Sequence, residues 1–211
     1  MFFRSLVVED DALLRSLVAR EIERAGFEVA EAGSAAEAVA AARRFDPDAA
    51  ILDVDLGPGP NGLVLGMRLA SSSPGIAIVY LTNVAAPEVA GLRSRDLPAG
   101  AAYLRKSQVG NPAVVLAALE SVLAGQDARP AHRHDLARDD PLRGLSRAQL
   151  DVLAMVAAGL TNAEIAARRE SSVRAVERMI ARVFAALGLD DGAGNARVRA
   201  ARFYLDAKGG G

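Results

Sequence analysis

The stretch Ala49-Ala50-Ile51-Leu52-Asp53-Val54-Asp55 decides how this sequence is read. Four apolar residues run without alternation into a carboxylate. A strand in a parallel sheet has this unbroken apolar character, because helices cover both of its faces. Open α/β sheets place their chemistry beyond the carboxyl ends of the strands. Asp53 stands at such an end, and the neighbouring segments can be read outward from it.

Upstream, residues 2–8 are an apolar run that meets Glu9-Asp10-Asp11. Leu13, Leu14, Leu17, Val18 and Ile22 recur at helical spacing, which predicts a helix over 11–25 stopped near Gly26. Residues 27–30 give a second strand, and Ser34 with Glu37 reads as a capping box that opens a second helix. Downstream, Asn61-Gly62 opens a helix through Leu69. Residues 76–81 form a fourth strand that ends at Thr82-Asn83. Residues 101–104 form a short fifth strand followed by Arg105-Lys106. Asn111-Pro112 supplies an N-cap and a first-turn proline for a helix to about Ala124. Five strand–helix units predict an α/β fold, a flavodoxin-like doubly wound five-stranded parallel sheet of order 2-1-3-4-5. In that order Glu9, Asp10, Asp53, Thr82 and Lys106 all fall at carboxyl ends of strands and converge on one patch.

The chemistry of that patch follows from its groups. Packed carboxylates raise one another's pKa unless a cation neutralises them. Oxygen donors without thiol or imidazole suit Mg²⁺. A metal-bound carboxylate, a hydroxyl and a lysine suit transfer of a phosphoryl group onto Asp53 as nucleophile, with Lys106 and the metal neutralising charge. An enzymatic alternative reads Asp53-x-Asp55 as the paired-aspartate nucleophile of haloacid-dehalogenase-like phosphatases. That motif normally lies on the first strand with its acidic pair downstream, whereas here the acidic pair comes first.

The 211 residues are enough for two small domains, and 51% apolar with 24% charged is an ordinary globular balance. No cysteine is present, which excludes disulfides, thiolate zinc sites and a cysteine nucleophile. His132 and His134 are the only histidines, with no third ligand nearby, so a histidine-based triad or metal site is not expected. The N-terminus resembles neither a signal peptide nor a membrane span, so the expected location is the cytoplasm and no membrane partner is expected. Residues 1–125 hold 11 basic and 15 acidic residues, and residues 142–211 hold 11 and 7. An acidic half beside a basic half suggests domains with different partners. The expected division is 1–125, a polar linker over 126–141 with no apolar period, and 142–211.

The last segment reads as all helical. Ser146 with Gln149 and Thr161 with Glu164 are capping boxes, and Ser171-Ser172 caps a longer helix closed by Gly188. A final helix runs from near Asn195 to Leu205. A short helix, a tight turn and a longer helix match a helix-turn-helix unit. Val173, Val176, Ile180, Val183 and Leu187 share one face of the longer helix. At about 100° per residue, Arg174, Arg178 and Arg182 lie nearly opposite, with small Ala181 and Ala185 among them. Arginine can hold phosphates or pair with guanine, and small neighbours let a helix approach the major groove.

Two resemblances rest on these residues. The set Glu9-Asp10, Asp53, Thr82 and Lys106, with Tyr103 three residues before the lysine, resembles the receiver domain of two-component response regulators. The string from Leu145 through Gly159-Leu-Thr-Asn-Ala-Glu-Ile-Ala and Val173-Arg-Ala-Val-Glu to Gly188 resembles the LuxR-type DNA-binding domain. The first resemblance implies that Asp53 is the phosphoacceptor and that Thr82, Lys106 and Tyr103 bind the phosphoryl group or switch on it. It further implies Mg²⁺ held by Asp10 and Asp53, by Glu9 through water and by the Asp55 backbone carbonyl. The second implies a four-helix module whose third helix enters the major groove of double-stranded DNA, with Arg174, Arg178, Ala181 and Arg182 facing it. Together they imply a phosphorylation-controlled transcriptional regulator, partnered by a sensor histidine kinase and dimeric when active. Such a protein is not a turnover enzyme, although it could dephosphorylate itself. A receiver acting as an interaction module without phosphorylation is the alternative. Three departures stand out: a longer loop over 55–62, Asn83 after the threonine, and no proline after Lys106.

Overall fold

The computed structural model describes residues 3–109, 111–125, 132–136, 141–189 and 195–209. The chain divides into two compact units, Met1–Ala137 and Arg138–Gly211.

The first unit is built on β1 (Arg4–Val8), β2 (Glu28–Ala32), β3 (Ala49–Leu52), β4 (Ala77–Thr82) and β5 (Ala102–Arg105). They form one parallel sheet of order β2-β1-β3-β4-β5. Between them run α1 (Ala12–Arg24), α2 (Ala35–Phe45) and α3 (Gly62–Ser72), and α4 (Pro112–Leu123) follows β5. β3 and β4 are buried throughout, because helices cover both faces. Toward α1 and α4 the sheet presents Val7, Ile51, Val79, Leu81 and Leu104, packed on Ile22, Val115 and Leu119. Each such side chain, once fully buried, contributes about 1.5–3 kcal/mol.

The helix starts are local chemistry. The Asp11 side chain accepts the amides of Leu13 and Leu14, and Asn61 and Asn111 cap α3 and α4 in the same way. Ser34 accepts the Glu37 amide, but the Glu37 carboxylate reaches back to the Gly33 amide, one residue earlier than a capping box requires.

Two expectations need correction. The β4–β5 connection holds no α-helix. It is carried by 3-10 turns at Pro87–Ala90 and Ser94–Asp96, where Pro87, Gly91, Pro98 and Gly100 punctuate the segment too often for a helix to propagate. The expected linker is also not uniformly exposed. Residues 132–136 pack with the first unit, His132 and Asp135 buried, because Arg133 pairs with β5 and neutralises Asp135. The remainder of that linker, 126–131 and 137–140, lies outside the described residues.

The second unit comprises α5 (Arg147–Ala157), α6 (Asn162–Arg168), α7 (Val173–Ala186) and α8 (Ala196–Lys208). Both capping boxes expected here are formed in full, by Ser146 with Gln149 and by Thr161 with Glu164. Val152, Val156, Ile165, Ala166, Val176 and Ile180 make its core. The final helix runs three residues beyond the expected Leu205. Val173, expected on the core face, is 42% exposed, since it opens α7 beyond the reach of that core.

Candidate functional site

At the carboxyl ends of the strands, Glu9 follows β1, Asp53 follows β3, Thr82 ends β4 and Lys106 follows β5. The parallel register of β1 with β3 continues one residue further: the Asp53 amide donates to the Val8 carbonyl at 2.9 Å. Lys106 Nζ donates to Glu9 Oε2 and Asp53 Oδ2, each at 2.7 Å. Glu9, Asp10 and Asp53 offer oxygens within 4.8 Å of one another. Glu9 is only 4% exposed, Asp53 is buried and Asp10 faces solvent. The cluster is therefore a half-open bowl with two buried walls and one wet rim.

The electrostatics follow from burial. Desolvation pushes the Glu9 carboxyl up to about 7, against the pull of Lys106. For Lys106, burial pulls downward, but its bonds to Asp53 and Glu9 outweigh that and the ammonium is held above its ordinary value. The lysine thus stands among the acids in the role of a cation. These all-oxygen donors fit a small hard divalent ion such as Mg²⁺, which binds through one or two carboxylates and water.

Thr82 Oγ1 accepts the Val84 amide at 3.1 Å, and the buried Tyr103 hydroxyl donates to the Val84 carbonyl at 2.9 Å. One residue, Val84, therefore links the two groups expected to switch together. The Asp55 amide donates to Asp53 Oδ1 at 3.2 Å, which turns the chain back toward the bowl. Where that loop re-enters α3, a side chain at Gly62 would land on the Asp53 carbonyl oxygen. The third acid of the upstream run, Asp11, caps α1 instead of joining the cluster. Its carboxyl is held below the usual range by the Leu14 and Leu13 amides.

One participant was not apparent from the sequence. Arg15 Nη1 donates to the Glu9 carbonyl at 2.6 Å, and its Nε lies 3.4 Å from Glu31. It clamps the backbone that carries the acids. A lone arginine on a surface helix gives no signal of this.

The matches to known proteins agree with this geometry. The model of the response regulator receiver domain matches residues 5–107. The DNA-binding transcriptional activator DevR/DosR of Mycobacterium tuberculosis is 32% identical over 189 residues, covering 85% of this chain and 82% of that one. The chain belongs to the LuxR-type response regulators. A LuxR-family response regulator from Aurantimonas sp. SI85-9A1 superposes with a TM-score of 0.52 at 29% identity, covering 60% of this chain and 89% of that one. RcsB of Salmonella enterica serovar Typhimurium, solved on a promoter with a phosphomimetic, shares the fold over 98% of this chain and 99% of its own, with a TM-score of 0.65 at 19% identity.

In this response regulator the second candidate surface is on α7. Val176, Ile180 and Val183 are buried, while Arg174, Glu177, Arg178, Ala181 and Arg182 are exposed. The expected basic face is thus solvent-accessible and backed by a packed one. α6 is held by Arg197 of α8, which donates to Asn162 Oδ1 at 3.0 Å and to the Leu160 carbonyl. Among the described residues, no helix is long and apolar enough to cross a membrane.

Proposed function

We propose that this chain is a DNA-binding transcriptional regulator switched by phosphoryl transfer to Asp53. The observation that carries the reading is Lys106 Nζ at 2.7 Å from both Glu9 and Asp53, beside Asp10, at the switch point of the sheet. An Asp53 oxygen attacks phosphorus, and the bond from phosphorus to the donor's imidazole nitrogen breaks. Lys106 shifts from Glu9 toward the new phosphoryl oxygens. Thr82, whose oxygen already accepts the Val84 amide, keeps its own proton to donate to them. Glu9, Asp10, Asp53 and the Asp55 carbonyl would hold Mg²⁺, which when bound supplies charge neutralisation at the equatorial oxygens. Tyr103 follows Thr82 through Val84. A sensor histidine kinase is the donor. A protein donor reaching Asp53 would cover Leu13 and Leu17, exposed on α1 beside a groove of about 280 Å³ that ends at Lys106. The activated chain dimerises and sets α7 in the major groove of paired half-sites, with Arg174, Arg178 and Arg182 on phosphates or guanines and Ala181 giving clearance.

Intact-mass measurement after incubation with Mg²⁺ and a small phosphodonor tests the reading. The expected result is a gain of one phosphoryl group that Asp53→Asn abolishes. A gain that survives the substitution, or none in the wild type, overturns it.

A further inference from the structure

Residues 132–136 close what would otherwise be the open edge of the sheet. Arg133 forms a parallel bridge with Tyr103 of β5. The Arg105 amide donates to His134 Nδ1 at 2.9 Å, which requires that nitrogen to be unprotonated. Arg133 grips Asp135 through two nitrogens, at 2.8 and 2.9 Å, and Asp135 is 1% exposed. A carboxylate buried this deeply is tolerated only when paired and hydrogen-bonded, so residues 133 and 135 dock as a unit.

The attachment points matter. Tyr103 and Arg105 lie on the strand that delivers Lys106, the next residue. Tyr103 is tied through Val84 to Thr82. Every group the segment holds on β5 is therefore at most two links from a group that faces the phosphoryl site.

We propose that the outer edge of β5 is a docking surface for residues 132–136 of this same chain, and that phosphoryl transfer to Asp53 empties it. The inference rests on the reading of Asp53 as phosphoacceptor. At rest, Lys106 is held back by Glu9 and Asp53. A phosphoryl group stands further out and draws Lys106 and Thr82 toward it. Lys106 pulls on the end of β5 as it moves, the adjoining residue Arg105 shifts with it, and its N–H, in the peptide from Leu104, leaves the line of His134 Nδ1. Hydrogen bonds weaken steeply with misalignment. Its ties to β5 include the Arg105–His134 bond and the bridge at Tyr103, both on the strand that moves, and a segment held at the rim of a unit opens before the sheet core does. It precedes the DNA-binding unit in the chain, so its release lengthens that unit's tether.

Amide hydrogen exchange on the full chain, with and without Mg²⁺ and beryllofluoride as phosphoryl mimic, tests this. At rest the Arg105 amide and those of residues 132–136 should be protected. With the mimic they should exchange about tenfold faster or more, while the peptides bearing Asp53 and Thr82 slow. His134→Ala should show the fast exchange without the mimic. If Asp53 and Thr82 respond to the mimic but Arg105 and residues 132–136 do not, the docking inference is overturned and the phosphoacceptor reading stands. If neither region responds, both fall.

Discussion

Glu9 shows how one residue records the state of the whole pocket. Burial raises its carboxyl to about 7, so the folded metal-free protein binds this proton more tightly than the unfolded chain does. The stabilisation is complete below the ordinary glutamate value of 4.5 and is lost as pH rises through about 7. Thermal melts in chelator should show stability falling over that interval, and Glu9→Gln should flatten the fall. An unchanged profile in the variant would exclude Glu9 as its source. The ionisable groups of this pocket were legible in the sequence because each stands where an apolar run stops. Arg15 was not, since its role is to hold a backbone carbonyl and no side-chain pattern marks that. Asp11 shows the converse: three consecutive acids look alike in sequence, and only the geometry of the helix start assigns the third to capping.

At the scale of elements, periodicity and caps located every strand and every α-helix among the described residues, since each has an apolar period or a starting residue. The β4–β5 connection escaped because the alternation of strand and helix was extended across it, although its own prolines and glycines argue for turns. The packing of α3 on the sheet was also hidden. Gly66 stands where a side chain would collide with the Tyr80 hydroxyl, and Tyr80 is wholly buried. Gly66→Ala should cost about 1–3 kcal/mol through overpacking, measured by denaturant unfolding. Tyr80→Leu in the same chain should recover part of that loss, whereas simple additivity would mean the two do not touch. On α7 the exposed arginines make a separate test. If each meets a phosphate, replacing Arg174, Arg178 or Arg182 by alanine should lower the salt slope of DNA affinity by about 0.9 apiece. A slope that does not move would place that arginine away from the backbone.

For the molecule as a whole, the charge asymmetry between residues 1–125 and 142–211 suggests two domains, and the chain divides into two compact units, Met1–Ala137 and Arg138–Gly211. Residues 132–136 look like tether because their apolar content is low. They are held instead by a backbone bridge, an imidazole and an internal ion pair, which leave no hydrophobic period to read. This placement bears on solubility. A parallel sheet has two outer strands, each able to recruit a stray strand from another molecule. β2 discourages this with exposed Glu28 and Glu31. β5 offers the uncharged run Ala102, Tyr103 and Leu104, with a charge only at its end in Arg105, and relies on the chain's own cover. A fragment cut at residue 125 should therefore self-associate as its concentration rises, and one cut at residue 137 should stay monodisperse, as light scattering would reveal. Trimming the first unit to its globular minimum would expose a sticky margin that the intact polypeptide keeps wrapped.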